Sequence, residues 1–175
     1  VGMNIPGYIA LIRAGRLEDA YRLVLKTNPF PGVCGRVCDH RCEAKCRRAT
    51  IDAPLSIKNL KRFITDNTPR PTVERVAVVH KEKIAVIGAG PSGLTVAKDL
   101  SLRGYGVTIF EQFSEPGGML RWGIPAYRLP RNILKQEIDD ILNLGIGLKC
   151  NTRVGTDISW PDIRKKFDAV YLATG

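Results

Sequence analysis

The chain has 175 residues, 44% of them hydrophobic and 25% charged, with a formal net charge of +10. That is the composition of an ordinary globular protein, and it excludes a disordered, collagen-like or fibrous chain. No apolar run approaches the roughly 20 residues that a bilayer requires, and Val1 to Tyr8 show no basic or apolar leader, so a cytoplasmic protein without a membrane span is expected.

Pro6 suits the first turn of a helix, where its missing N–H costs nothing. Ile9 and Ile12 follow at helical spacing, and Gly15 stops the run. A second helix is expected over 17–25, with Ala20, Leu23 and Val24 on one side. Asn28-Pro29 and Pro31-Gly32 then break the chain. Residues 33–49 carry the cysteines. Ser56 is placed to cap a third helix reaching about Asp66, with Ile57, Leu60 and Ile64 as its apolar face. Thr68-Pro69-Arg70-Pro71 reads as a linker.

From Lys83 the pattern changes. Ile84-Ala85-Val86-Ile87 is a short apolar run of the kind that forms a buried parallel strand. A Gly-rich turn and a helix over 91–103 follow it. Gly106 to Phe110 reads as a second strand, ending at Glu111. An irregular stretch runs to Pro130. Ile133, Leu134, Ile138, Ile141 and Leu142 form a helical stripe closed by Gly145. Residues 146–150 and 169–172 read as strands, with a short helix over 160–166 between them. Strand–helix alternation implies a parallel sheet covered by helices. The expected organisation is a small all-α domain over 1–68, a linker over 69–82, and part of a Rossmann-like α/β domain over 83–175.

Charge is uneven. Residues 1–80 hold 14 Lys/Arg against 7 Asp/Glu, and residues 81–175 hold 13 against 10. A basic front half is suited to an anionic cofactor or an acidic partner. Nothing resembles a nucleic-acid signature, and aromatics are only 7%, so no nucleic-acid partner is expected.

Gly88-Ala89-Gly90-Pro91-Ser92-Gly93 matches G-x-G-x-x-G. It follows a strand, opens a helix, and is followed eighteen residues after Gly93 by Glu111, the full context of a dinucleotide fingerprint. Gly88 allows the tight turn, Gly90 lets a pyrophosphate approach the backbone, and Gly93 lets helix and strand pack. The helix N-terminus offers free N–H groups to phosphate. A carboxylate at Glu111 accepts from ribose hydroxyls and repels a 2′-phosphate, so the pocket suits FAD or NAD better than NADP. Gly117-Gly118-Met119, just past it, lets the backbone pass close to a ligand. An apolar strand running into Ala173-Thr174-Gly175 closes the set. These three motifs favour FAD and resemble the two-dinucleotide-fold flavoproteins. Arg128 is placed to meet phosphate or flavin, or is a surface arginine.

Cys34, Cys38, Cys42 and Cys46 are spaced four apart, and the fifth cysteine, Cys150, is read as a packing residue. An odd total without a leader argues against a disulfide framework. Such thiolate density suits iron–sulfur or zinc. On one straight helix the four would spread over roughly 18 Å, too far for one compact site. Either the segment bends, which Gly35 permits, or the thiols serve two sites. Arg36, Arg41, Lys45, Arg47 and Arg48 surround them and offset an anionic cluster. His40, inside the run, is a second possible ligand or a surface histidine.

Taken together, the motifs resemble the family of the glutamate synthase small (beta) subunit. The N-terminal part of dihydropyrimidine dehydrogenase and the large subunit of bifurcating NADH-dependent ferredoxin:NADP oxidoreductase belong to it too. The resemblance rests on Asn28-Pro29-Phe30-Pro31 with Cys34-Gly35-Arg36-Val37-Cys38, Cys42-Glu43-Ala44-Lys45-Cys46, and Ile57-Lys58-Asn59-Leu60-Lys61-Arg62-Phe63. The fingerprint, Gly117 to Pro125, Tyr127-Arg128-Leu129-Pro130 and the terminal Ala173-Thr174-Gly175 complete it. It implies a helical domain with two [4Fe-4S] clusters joined to an FAD domain and an NAD(P)H domain. Electrons pass from NAD(P)H through FAD and the clusters to a partner subunit or domain. By resemblance the FAD contacts fall on Gly88 to Ser92, Glu111, Gln112, Gly117, Gly118, Met119, Arg128 and the backbone at Val154, with Thr174 and Gly175 close by. No side chain is implied as a catalytic acid, base or nucleophile.

Three departures accompany the resemblance. The family's first cysteine group lies upstream of a stretch like the one that opens this chain. The spacing of Cys38 and Cys42 is shorter than in much of the family. Lys61 stands where several members place a Gln or Glu ligand, and Lys donates but does not accept; Cys34 is a candidate replacement. The chain is therefore expected to be a fragment of an NAD(P)H-dependent oxidoreductase, inactive alone, with the NAD(P)H domain beyond Gly175. The alternative is a non-catalytic dinucleotide-binding and partner-docking module with a structural metal, such as zinc, in its helical part.

Overall fold

The structure is a computed structural model that describes residues 2–175; Val1 lies outside the described residues. The chain divides into two compact units, Val1–Thr72 and Val73–Gly175.

The first unit is all helix: α1 Ile5–Arg13, α2 Leu17–Leu25, α3 Pro31–Val37, α4 Arg41–Ala44, a 3₁₀ turn at Arg47–Thr50, and α5 Ile57–Asn67. Asn4 opens α1, its Oδ1 accepting from Gly7 N at 2.9 Å, the usual service of a capping side chain. Apolar stripes meet in a core of Tyr8, Ala20, Tyr21, Val24, Ile57 and Ile64, against which Leu60 and Cys42 pack half-buried. Tyr8 keeps its hydroxyl satisfied in this core by donating to the Ile57 carbonyl at 3.0 Å. Burial, with Cys42 and Glu43 nearby, pushes that phenol well above its ordinary pKa.

Three local expectations change in this unit. Pro31 starts a helix where a chain break was expected, because at the first helical position it needs no N–H donor. Gly35 is not the bend. It is buried within α3, where a Cβ would come 2.9 Å from Arg62 Cβ of α5, so glycine lets the two helices touch. The bend lies at Cys38, which is extended, and at His40, which adopts φ 45° and ψ 41°. Ser56 makes no side-chain cap on α5. Instead Glu43 Oε1 accepts from Lys58 N at 2.7 Å, so α5 is capped from α4.

The second unit contains β1 Lys83–Ile87, α6 Pro91–Leu102, β2 Gly106–Phe110, α7 Met119–Trp122, α8 Arg131–Leu142, β3 Gly147–Lys149, α9 Trp160–Lys166 and β4 Ala169–Leu172. The strands form one parallel sheet in the order β3-β2-β1-β4, a Rossmann-like arrangement. Ile87 aligns with Phe110 on one side and Leu172 on the other. Ala85, Ile87 and Phe110 pack with Ile163 of α9 on one face. The alternate residues Ile84, Val86 and Ile109 are also buried, as are Leu94 of α6 and Leu134 of α8.

Residues 73–80, part of the segment read as a linker, lie against this second unit. Val76 N donates to Leu144 O at 3.0 Å, while Val79 N and His80 N both donate to Gly104 O. His80 stacks on Tyr105 with ring centroids 4.3 Å apart. Among the described residues no helix is long and apolar enough to cross a membrane.

Candidate functional site

The chain runs outward from β1 through β2 to β3, then returns to the other side of β1 as β4. In parallel sheets that reversal opens a crevice at the carboxyl ends of the strands. Gly88 leaves β1 there with φ +106°. A Cβ on Gly88 would run into the Ala173 carbonyl just past β4, so glycine is required by the neighbouring strand end as well as by the turn. Gly93 sits so close to the Gly88 carbonyl oxygen that any side chain would collide with it. Gly90 precedes α6, and Pro91 takes its first position. Around Gly90 an added Cβ would meet only Gly118 Cα, at 3.9 Å.

Glu111 follows β2 and is 4% exposed. Its Oε2 accepts from Ala89 N at 2.7 Å, and its Oε1 accepts from Phe113 N at 2.9 Å. The carboxylate therefore bridges the fingerprint turn and the segment after β2. It retains lone pairs for further donors, since each carboxylate oxygen accepts more than one bond. Ala89 O in turn accepts from Gly117 N at 2.8 Å. Gly118, at φ +51°, lies against Gly90, and a Cβ on Gly118 would come 2.7 Å from Gly90 Cα. Gly88 to Gly93, Glu111, Gly117 and Gly118 thus form one cradle. The first N–H groups of α6 have no partner within the helix, and the helix dipole favours an anion there.

The remaining expected contacts are placed less tightly. Thr174 N lies beside Gly88, and Gly175 follows it, exposed. Gln112, Met119 and Arg128 expose their side chains. Val154 is half-buried and bridges to Ile158. Cys150, near this region, has its thiol pushed up by burial and by the Glu111 and Glu115 carboxylates; it is not a ready thiolate.

Two side chains at the cradle were not singled out from sequence. Arg121, 9% exposed, donates from Nε to Pro116 O at 2.8 Å and from Nη1 to Glu115 Oε2 at 3.0 Å. It grips the loop that carries Gly117 and Gly118. Tyr171 of β4 places its hydroxyl 2.9 Å from Ser92 Oγ of α6. Both partnerships arise from folding, and a lone Arg or a Tyr within an apolar strand gives no local signal of them.

The four clustered cysteines run from Cys34 in α3 through Cys38 at the bend and Cys42 in α4 to Cys46 at the start of the 3₁₀ turn, each half-buried. Two of them meet backbone N–H donors. His40 N donates to Cys38 Sγ at 3.3 Å. Backbone N–H groups of Leu55 and Arg48 hold the Cys46 thiol below its ordinary pKa against burial, helped by Ala49 N–H and the Arg48 charge. Cys34 differs: its thiol lies 3.7 Å from Asn28 Oδ1. His40 turns its Nδ1 toward Glu43 Oε2 at 3.3 Å. Among the described residues no three His, Cys, Asp or Glu side chains come together as a metal site. The donor chemistry fits a thiophilic metal, while the described residues do not assemble a complete cage.

Residues 1–72 match the family described as dihydropyrimidine dehydrogenase domain II, 4Fe-4S cluster, and residues 86–124 match the NAD(P)-binding Rossmann-like domain. The chain is 43% identical to the NADP(+)-dependent formate dehydrogenase subunit beta of Moorella thermoacetica, over 99% of this chain and 28% of that protein. It is 39% identical to the NAD-dependent dihydropyrimidine dehydrogenase subunit PreT of Salmonella typhimurium, over 97% of this chain and 42% of that one. It is 38% identical to the small chain of the NADPH glutamate synthase of Bacillus subtilis, over 98% and 35% respectively. The chain thus spans well under half the length of these relatives. Its fold is similar to that of Mycobacterium tuberculosis FprA in complex with NADPH, with a TM-score of 0.51 and 21% identity over 55% of this chain and 23% of that one.

Proposed function

Because the chain belongs to the family of oxidoreductase subunits that includes the glutamate synthase small chain, we propose that it is part of a cytoplasmic NAD(P)H-dependent electron-transfer subunit. In this reading the α/β unit binds FAD, the helical unit contributes sulfur ligands to [4Fe-4S] clusters, and electrons leave to a partner subunit or domain. The observation that carries it is the cradle in which Glu111, Gly90 and Gly118 close around the N-terminus of α6.

The residues have separate tasks. Glu111 accepts the ribose hydroxyls of the adenosine half while held by Ala89 N and Phe113 N. The N–H groups at the start of α6 take the pyrophosphate. Gly90 and Gly118 keep the backbone low enough for that approach. Gln112, Met119, Arg128, Val154, Thr174 and Gly175 are proposed to line the rest of the dinucleotide's path. Flavin supplies the conversion between hydride and single-electron chemistry when bound there. Cys38, Cys42 and Cys46 are the proposed iron ligands, with Cys34 as the fourth sulfur to be tested.

The experiment is an absorbance spectrum of the protein purified without oxygen, before and after dithionite and after NAD(P)H. A two-band flavin spectrum over a broad, bleachable background supports the reading. Intact protein that carries neither chromophore overturns it. A second reading is a non-catalytic nucleotide-binding module with a structural metal. Bound flavin that NAD(P)H does not reduce would favour that one, and zinc in place of iron would identify its metal.

A further inference from the structure

The hydroxyl pair Ser92–Tyr171 joins the two elements that flank the crevice. Ser92 is the second residue of α6, directly after the fingerprint turn, and Tyr171 stands on β4 beside Val86 of β1. Their oxygens are 2.9 Å apart. Tyr171 is 37% exposed, so the core does not demand a phenol there, and phenylalanine would fill the same strand position. A serine hydroxyl has one hydrogen to give and two lone pairs to fill. The phenol is the more acidic of the two and therefore the better donor. With Tyr171 donating to Ser92 Oγ, the serine hydrogen is turned away from the strand and left available to an anion at the helix N-terminus. Without Tyr171 the Ser92 hydroxyl rotates freely and also competes for nearby carbonyls, as serines in a first helical turn do.

We propose that Tyr171 is a positioning residue for the dinucleotide pyrophosphate, acting through Ser92. The inference rests on the dinucleotide site described above and adds a residue to it from the returning strand. It makes the strand end next to Ala173-Thr174-Gly175 part of the phosphate-recognition apparatus.

The test uses the intact apoprotein with FAD, ADP and adenosine as probes. Tyr171→Phe and Ser92→Ala are each expected to weaken FAD and ADP about 3- to 10-fold, the range of one hydrogen bond, and to leave adenosine unchanged. The double variant is expected to be no weaker than Ser92→Ala, because the two hydroxyls act as one unit. Ser92→Thr keeps a hydroxyl and is expected to keep ADP affinity, which preserves the test if Tyr171→Phe does not fold. Unchanged ADP affinity in both single variants overturns the proposal. So does an equal loss for ADP and adenosine, which marks a merely structural role, or additive losses in the double variant. Wild-type protein that binds neither FAD nor ADP overturns the dinucleotide site itself, a distinct failure.

Discussion

Glu111 shows why some of the site is legible residue by residue. A carboxylate at the end of a second strand has few other uses, and Gly88, Gly93 and Gly118 near it are each demanded by a backbone approach that a Cβ would block. Glu111→Gln puts an amide in place of one carboxylate oxygen, so an N–H group faces either Ala89 N or Phe113 N. The expected cost is about 1.5–3 kcal/mol in FAD affinity, as for hydrogen bonds to a charged group, read by flavin fluorescence titration. Gly93→Ala is expected to destabilise the α/β unit by about 1–3 kcal/mol, the usual cost of overpacking, read by urea denaturation. Arg121 and Tyr171 escape a sequence reading for one reason. Their importance lies in what they touch, and Tyr171 finds its partner 79 residues away.

At the scale of elements, most helices and strands follow from periodicity, whereas their joints do not. The bend in the cysteine segment sits at His40, in a left-handed conformation that sequence rules associate with glycine. The cap on α5 comes from Glu43, fifteen residues upstream of Lys58. Glu43→Ala is expected to cost the helical unit about 1 kcal/mol, the usual size of a lost cap, as a lower midpoint in thermal unfolding. Arg36 Nη2 reaches from α3 to Asp66 of α5 at 2.7 Å, and Arg62 Nε meets the same carboxylate at 3.1 Å. Partial burial pushes the Asp66 carboxyl up, yet the hydrogen bonds and charges of Arg36 and Arg62 hold it below its ordinary value. A depressed carboxyl adds stability above its unfolded pKa of about 3.9, and that stability disappears as pH falls through the lower folded value. Asp66→Asn is therefore expected to be less stable than wild type at pH 7, by no more than about 1 kcal/mol because the pair is partly solvated. The gap should narrow as pH falls below the unfolded value, as measured by denaturation at neutral and acidic pH.

For the whole molecule, the shift from helical stripes to strand–helix alternation near Lys83 announces two kinds of architecture. The strand order β3-β2-β1-β4 is less accessible, since parallel strands carry no hairpin to reveal their neighbours. The placement of residues 73–80 is hidden for a similar reason, because Leu144 and Gly104 are remote in sequence. Each unit has its own core, and the helical one is small, the size at which metals commonly supplement a core. Removal of iron by a chelator under reducing conditions is expected to lower helicity in the first unit and to change FAD affinity less than about 2-fold, a difference small beside the tenfold that 1.4 kcal/mol produces. Circular dichroism and flavin titration on the same sample check both halves. Cys46→Ser is expected to lose iron, because its thiol is already held below its ordinary pKa. Cys34→Ser is expected to lower the iron content per chain as well, and unchanged iron removes Cys34 from the ligand set.

The Glu111 carboxylate ties Ala89 N to Phe113 N. Both donors in that bridge belong to the chain's own backbone. A receptor already set in its binding geometry loses little chain entropy on association. Calorimetric titration with ADP should accordingly show exothermic binding without the large negative heat-capacity change of coupled folding. Stopped-flow traces should show a single phase whose rate rises linearly with nucleotide concentration.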